Sequence, residues 1–98
     1  MKKYQKKPVI IEAIQYTYPA TQDLKNWMGA SVGTESKARH MYAKGELEIV
    51  GLEDGHDSRC KHIATEGDYI IKGIKGEFYA CKPEIFIACY QKIQETIE

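Results

Sequence analysis

Residues 66–83 limit what this chain can fold into more than any other stretch. Glu66-Gly67-Asp68-Tyr69-Ile70-Ile71-Lys72-Gly73-Ile74-Lys75-Gly76-Glu77-Phe78-Tyr79-Ala80-Cys81-Lys82-Pro83 reads as turn, strand, tight turn, strand and stop. Gly67-Asp68 supplies turn chemistry, Tyr69 to Lys72 is aromatic and β-branched with a polar end, and Glu77 to Cys81 returns as a second extended run. Gly73 and Gly76 bracket the reversal, where positive φ is expected. Pro83 has no N–H to give a ladder and biases Lys82 toward an extended conformation. The stretch predicts a β-hairpin, and a hairpin by itself names no reaction.

The flanking chain supplies the elements that would pack on it. Val9-Ile10-Ile11-Glu12-Ala13-Ile14-Gln15-Tyr16 is a nearly continuous apolar run, which predicts a central strand covered on both faces. Thr17 to Ala20, with Pro19, ends it. Thr21 then suits the N-cap of a helix of about two turns, with Asp23 in its first turn. Leu24, Trp27 and Met28 form one apolar face, Gly29 sits at the C-terminal end, and Trp27 should dock the helix on the sheet.

Ala30 to Ser36 reads as a surface connection. Lys37 to Ala43 and Glu46 to Leu52 are expected to pair across a Lys44-Gly45 turn, with a helix over Ser36 to Tyr42 as the competing reading. Leu47 and Ile49 alternate with Glu46, Glu48 and Val50 in a half-buried pattern. Glu53-Asp54-Gly55 is a turn signal, so Arg59 to Ala64 should return antiparallel to that strand. After Pro83, Glu84-Ile85-Phe86 reads as one helical or 3₁₀ turn, and Ile87 to Ile93 as a last strand. The whole predicts a single domain over residues 1–98: an α+β fold, with a bent antiparallel sheet or partly open small β-barrel and one packed α-helix.

Composition removes some functions. Fourteen basic residues balance fourteen acidic ones, so the chain is not the basic object that binds duplex nucleic acid without specificity. Lys2, Lys3, Lys6 and Lys7 form a short basic arm, for which a solvated strand end is the simplest account. No run approaches the roughly 18 apolar residues of a membrane span, and no signal-peptide h-region follows those lysines, so a cytoplasmic setting is expected. Cys60, Cys81 and Cys89 cannot all pair within one chain and read as buried or idle thiols.

The pieces occur in a familiar order. The opening Met-Lys-Lys-Tyr-Gln-Lys-Lys-Pro-Val-Ile-Ile-Glu-Ala-Ile-Gln-Tyr, then Gly67-Asp68-Tyr69-Ile70-Ile71-Lys72-Gly73 and Gly76-Glu77-Phe78-Tyr79-Ala80-Cys81-Lys82-Pro83-Glu84-Ile85-Phe86, resembles a group of small bacteriophage and prophage proteins. Their hallmark is similar to a Pro-Gly-Asp-Tyr turn and strand. Here Glu66 stands in place of the proline, and Ala80 stands where a proline is usual before the cysteine. The likeness covers roughly residues 1–29 and 66–98. It implies a viral or prophage origin and the cytoplasm of an infected bacterium, and it brings no catalytic residues with it.

Candidate chemistry is sparse. His56, Asp57, Cys60 and His62 fall within seven positions, yet H-x3-C-x-H is not a recurring zinc spacing, and exposed hairpin residues are the simpler reading. Cys81 or Cys89 as a nucleophile would need a base that the sequence does not place beside it. Asp68 and Glu77 can be drawn as paired glycosidase carboxylates, or as surface partners of Lys72, Lys75 or Lys82. No phosphate loop or serine elbow occurs, and neither a metal nor a cofactor is expected.

The leading expectation is a non-enzymatic binding face built from Tyr69, Lys72, Lys75, Glu77, Tyr79 and Lys82, with Tyr16 and Trp27 close by. Aromatic planes beside lysines suit a nucleotide or another small anionic molecule, captured to blunt a host antiviral response. A host or phage protein held on a tyrosine-rich sheet edge is the alternative. A small hydrolase or metal-dependent enzyme, using residues 56–62 or the acidic pair, is the third. Seven tyrosines in 98 residues also favour a homodimer, since tyrosine suits half-buried interfaces.

Overall fold

The hairpin forms where the turn signals place it. In the computed structural model, which describes residues 1–5, 7–51 and 61–93, Tyr69–Lys72 pairs antiparallel with Phe78–Cys81, Lys72 facing Phe78 and Tyr69 facing Cys81. The reversal uses its two glycines differently from expectation. Gly76 takes positive φ, at 82°. Gly73 does not, and a Cβ there would meet only the end of the flexible Glu77 side chain.

In chain order the elements are β1 (Glu12–Gln15), α1 (Gln22–Met28), a 3₁₀ turn (Gly29–Ser31), β2 (Val32–Lys37), β3 (Gly45–Val50), β4 (Lys61–Thr65), β5 (Tyr69–Lys72), β6 (Phe78–Cys81) and α2 (Pro83–Cys89). They build two antiparallel three-stranded sheets, ordered β1-β5-β6 and β2-β3-β4. The fold is α+β, with open, bent sheets and two short helices.

Thr21 caps α1 as expected, its hydroxyl accepting from the Leu24 N–H at 3.1 Å, and Gly29 closes the helix. Leu24 and Met28 point into the space between the sheets, where they meet Tyr16, Leu47, Ile49, Ala64 and Ile70. Trp27 meets Phe78 edge to face, with 5.0 Å between ring centroids. The β3 alternation holds, with Leu47 and Ile49 buried and Glu46 exposed. β4 returns antiparallel to β3. The predicted Glu53-Asp54-Gly55 turn between them lies outside the described residues.

Four expectations are corrected. The run from Val9 forms strand only over Glu12–Gln15 and lies at the sheet edge, because its partner β5 ends at Lys72 and turns at Gly73. The central strand is β5, whose Ile70 and Ile71 are buried on opposite faces. The supposed connection Ala30 to Ser36 instead enters β2. Its anchor is polar: Glu35 accepts the Tyr16 hydroxyl at 2.6 Å and the Ala20 N–H at 2.8 Å, a tie that hydrophobic patterning does not register.

The predicted Lys44-Gly45 turn and the competing helix over Ser36 to Tyr42 are both replaced by a loop over 38–44, and Gly45 opens β3. A Cβ on Gly45 would run into the Tyr18 ring. The Gly45 carbonyl accepts from the Glu66 N–H at 2.8 Å, and its N–H donates to Glu66 Oε1 at 3.1 Å. Proline at position 66 would remove both bonds, so glutamate there strengthens the corner between the sheets. Lastly, Ile87 to Ile93 is not a strand. α2 runs from Pro83, at its first turn, to Cys89. Phe86 and Tyr90, four residues apart, stack on each other with 5.0 Å between centroids, and this 3.6-residue contact outweighs the β-branched composition.

Tyr16 is fully buried. Burial, and then its hydrogen bond to Glu35, push its phenol above the ordinary value. A raised phenol pKa stabilises the fold below pH about 10, where the unfolded tyrosine keeps its proton. That contribution drains away as pH climbs through about 10 toward the folded value. Tyr16→Phe is therefore expected to cost roughly 1.5–3 kcal/mol in urea unfolding at neutral pH, the range for a bond to a charged group. It should also flatten the loss of stability above pH about 10.

Candidate functional site

Strand alternation sorts the sheet β1-β5-β6 into two faces. Ile14, Ile70, Phe78 and Ala80 pack on the core with Tyr16. Ala13, Tyr69, Ile71, Tyr79 and Cys81 occupy the other face, paired in register as Ala13 with Ile71, Ile71 with Tyr79, and Tyr69 with Cys81.

α2 lies against that outer face. Tyr69 and Phe86 stack nearly parallel, with 4.0 Å between centroids and 9° between planes, and Tyr90 continues the stack beyond Phe86. Tyr90 also shares a side-chain hydrogen bond with Tyr79. Burial, followed by that bond, pushes the Tyr79 phenol up to about 12. Burial likewise raises the Cys81 thiol, so Cys81 is poor in the reactive thiolate at neutral pH.

Between this sheet face and the segments before β1 and after α2 lies an open cleft of about 1280 Å³. One wall carries Tyr69, Phe86 and Tyr90, the N-terminal segment contributes Val9, Ile10 and Ile11, and Lys7 and Lys92 supply positive charge. Ile10, Ile74 and Ile93, 80%, 73% and 62% exposed, leave much apolar surface open to water.

The eight residues expected to form one binding face do not share one. Tyr69, Glu77 and Tyr79 line the cleft. Lys72 lies on the core-side face, its Nζ 5.9 Å from the centroid of the Phe78 ring, and Trp27 packs on the other side of the sheet from the cleft. Tyr16 is buried between the sheets. Lys75 and Lys82 are exposed, at the hairpin turn and at the N-cap of α2.

The acidic pair is occupied with backbone. Asp68 Oδ2 accepts from the Thr65 N–H at 2.9 Å, and Glu77 Oε1 from the Lys75 N–H at 3.1 Å. Glu77 stands beside Gly73, about five strand residues or roughly 16 Å from Asp68, beyond the roughly 5–9.5 Å that glycosidase carboxylates need. Neither acid forms an ion pair with a lysine among the described residues. Of the proposed zinc ligands, His56, Asp57 and Cys60 lie outside the described residues. Among the described residues no group of three or more His, Cys, Asp or Glu side chains is placed to hold a metal, and no helix is long and apolar enough to cross a membrane.

Sequence reasoning missed Phe86, Tyr90, Lys7 and Lys92. The signal was present: Pro83 at a helix first turn, followed by aromatics at i and i+4, reads as a helix with an aromatic stripe. No protein-family model matches this chain, and no curated protein or solved structure matches it either.

Phe86 is half-buried, and its ring joins α2 to the sheet. Phe86→Ala should cost about 1–3 kcal/mol, less than the 3–5 kcal/mol of a fully buried phenylalanine. Amide hydrogen exchange would then quicken in residues 83–90 and leave β3 and β5 protected.

Proposed function

We propose that this chain is a non-enzymatic binding protein whose site is the cleft between residues 7–13 and 86–93. Its ligand is a small anionic molecule with a planar ring, of nucleotide type. The resemblance to phage and prophage proteins supplies the setting, an accessory role in a bacterial cytoplasm in which sequestering a host signalling nucleotide blunts an antiviral response.

One observation carries the reading. The stacked Tyr69, Phe86 and Tyr90 rings stand in the same lining as Lys7 and Lys92. A base added to an outer face of that stack would gain roughly 1–3 kcal/mol, and the lysines would meet phosphate charge. The cleft volume exceeds the roughly 300–1,000 Å³ of sites for drug-sized ligands, leaving room for a dinucleotide. Asp68 and Glu77 support binding over catalysis, because both carboxylates accept backbone N–H groups that hold the hairpin ends.

A protein partner, from host or phage, is the second reading, and the exposed Ile10, Ile74 and Ile93 favour it. Self-association belongs to that reading, because a chain of 98 residues gains core by pairing.

Calorimetric titration with mononucleotides and cyclic dinucleotides tests the ligand reading. Binding is expected to weaken with added salt. It should fall by about tenfold or more when Lys7→Glu and Lys92→Glu are combined, each reversal costing on the order of 1 kcal/mol. Lys72→Glu, on the opposite face, should leave it unchanged. Silence across the whole panel, or equal loss in Lys72→Glu, contradicts the assignment.

A further inference from the structure

The loop between β2 and β3 concentrates charge that the chain as a whole balances. Residues 37–44 include Lys37, Arg39 and Lys44 and no acidic residue, so the rest of the chain keeps eleven of the fourteen basic residues against all fourteen acidic ones. The three cations are exposed, and none forms an ion pair among the described residues. Of the carboxylates near the ends of the adjoining strands, Glu35 is bonded to Tyr16 and Ala20, Glu66 is bonded to the Gly45 N–H, and Glu46 is exposed.

The tip of the loop is apolar. The Ala43 N–H donates to the His40 carbonyl at 3.1 Å, closing a turn whose two middle residues, Met41 and Tyr42, are each 84% exposed. Tyr18 seats the base: Lys37 Nζ lies 5.1 Å from its ring centroid, and its ring fills the place that a Cβ on Gly45 would take. None of these residues belongs to the cleft lining.

We propose that this loop is a contact for single-stranded nucleic acid, in which Lys37, Arg39 and Lys44 meet phosphates and Tyr42 stacks on a base. The contact is separate from the cleft and does not depend on it. An exposed ring flanked by cations takes a strand of any sequence, because every base has a face to stack on and every nucleotide carries a phosphate. Arg39 adds a planar guanidinium, which stacks on aromatic faces as well as pairing with phosphate. A duplex keeps its base faces inside its own stack, so a ring at the loop tip favours the single strand.

Magnitudes favour this partner over an anionic lipid surface. Met41 and Tyr42 together carry less apolar surface than one myristoyl chain, which by itself anchors only marginally. Three phosphate contacts to a single strand give a slope of about −2 in log K against log salt, and the stacked base adds affinity that salt does not screen. Dissociation on the order of 10–100 μM at about 0.1 M salt is the expectation, within the range of sequence-independent binding.

Fluorescence anisotropy of short labelled oligouridylate and oligothymidylate strands, titrated with the unaltered chain, tests the proposal. Arg39→Glu combined with Lys44→Glu should weaken binding at least about tenfold, since two of three phosphate contacts are reversed. Tyr42→Ala should weaken it about fivefold or more with the salt slope unchanged, and Tyr42→Trp should restore it. Lys7→Glu combined with Lys92→Glu, in the cleft, should leave it unchanged. All five side chains are exposed, and an unchanged melting temperature would verify that the variants fold. A chain that binds neither strand at about 1 mM, weaker than ordinary sequence-independent contacts, overturns the proposal. So does full affinity in Tyr42→Ala, or equal affinity for a duplex. Loss in the cleft variant with retention in the loop variants moves the strand to the cleft and overturns it too. Co-sedimentation with phosphatidylserine vesicles while both strands stay unbound gives the loop to a lipid surface instead.

Discussion

The hydrogen bond from Tyr16 to Glu35 is the constraint on which the arrangement depends. Its donor sits at the end of β1 and its acceptor in β2, so one 2.6 Å contact ties the first sheet to the second across the core. A neutral phenol bonded to a carboxylate is stronger than a neutral pair, and the same carboxylate also satisfies the Ala20 N–H just before α1. Three segments therefore meet at one side chain. Close by, Glu66 bonds Gly45 through both its N–H and its carboxylate, so two neighbouring polar ties hold the sheets together beside the core of Leu24, Leu47, Ile49 and Ile70.

This arrangement commits one face of β1-β5-β6 to the core and leaves the other for α2 and the cleft. Tyr69, Phe86 and Tyr90 both pack α2 on the sheet and line the proposed site. Stacked on one another they hold α2, a helix with no fully buried residue of its own. The same rings give the cleft its aromatic wall. A site built this way should respond to changes in α2, because loosening the helix also disperses the wall.

Much of the fold was legible from residues whose local preference agrees with their final place. Gly67-Asp68, Gly76 at the hairpin turn, Thr21 before α1 and the Leu47-Ile49 alternation each point to the observed structure without help from distant chain. The misreadings have two causes: at β2 and before β1 distant chain decides the outcome over local pattern, whereas at α2 a local i, i+4 aromatic signal went unread. β2 has little apolar alternation and is held by Glu35. The β-branched residues after Ile85 suggest a strand, but the Phe86 and Tyr90 rings seat them in and around a helix. Val9 to Ile11 have strand composition but no partner, since where β5 ends depends on the Gly73 turn.

The candidate site was legible only in part, and the lesson is one of parity. In a hairpin with Tyr69 opposite Cys81, Tyr69, Glu77 and Tyr79 fall on one face and Lys72 and Phe78 on the other. Treating the hairpin as a ledge that presents every tyrosine and lysine together ignored this period of two. The two lysines in the cleft lining, Lys7 and Lys92, are 85 positions apart in the chain, and their place in one lining is a tertiary fact. The most direct measurement of the account is nuclear magnetic resonance shift mapping of the labelled chain during addition of a cyclic dinucleotide. The account predicts shifts confined to residues 7–13, Tyr69, Tyr79 and 86–93. Shifts clustered at Lys72, Phe78 and Trp27 would put recognition on the opposite face and contradict it.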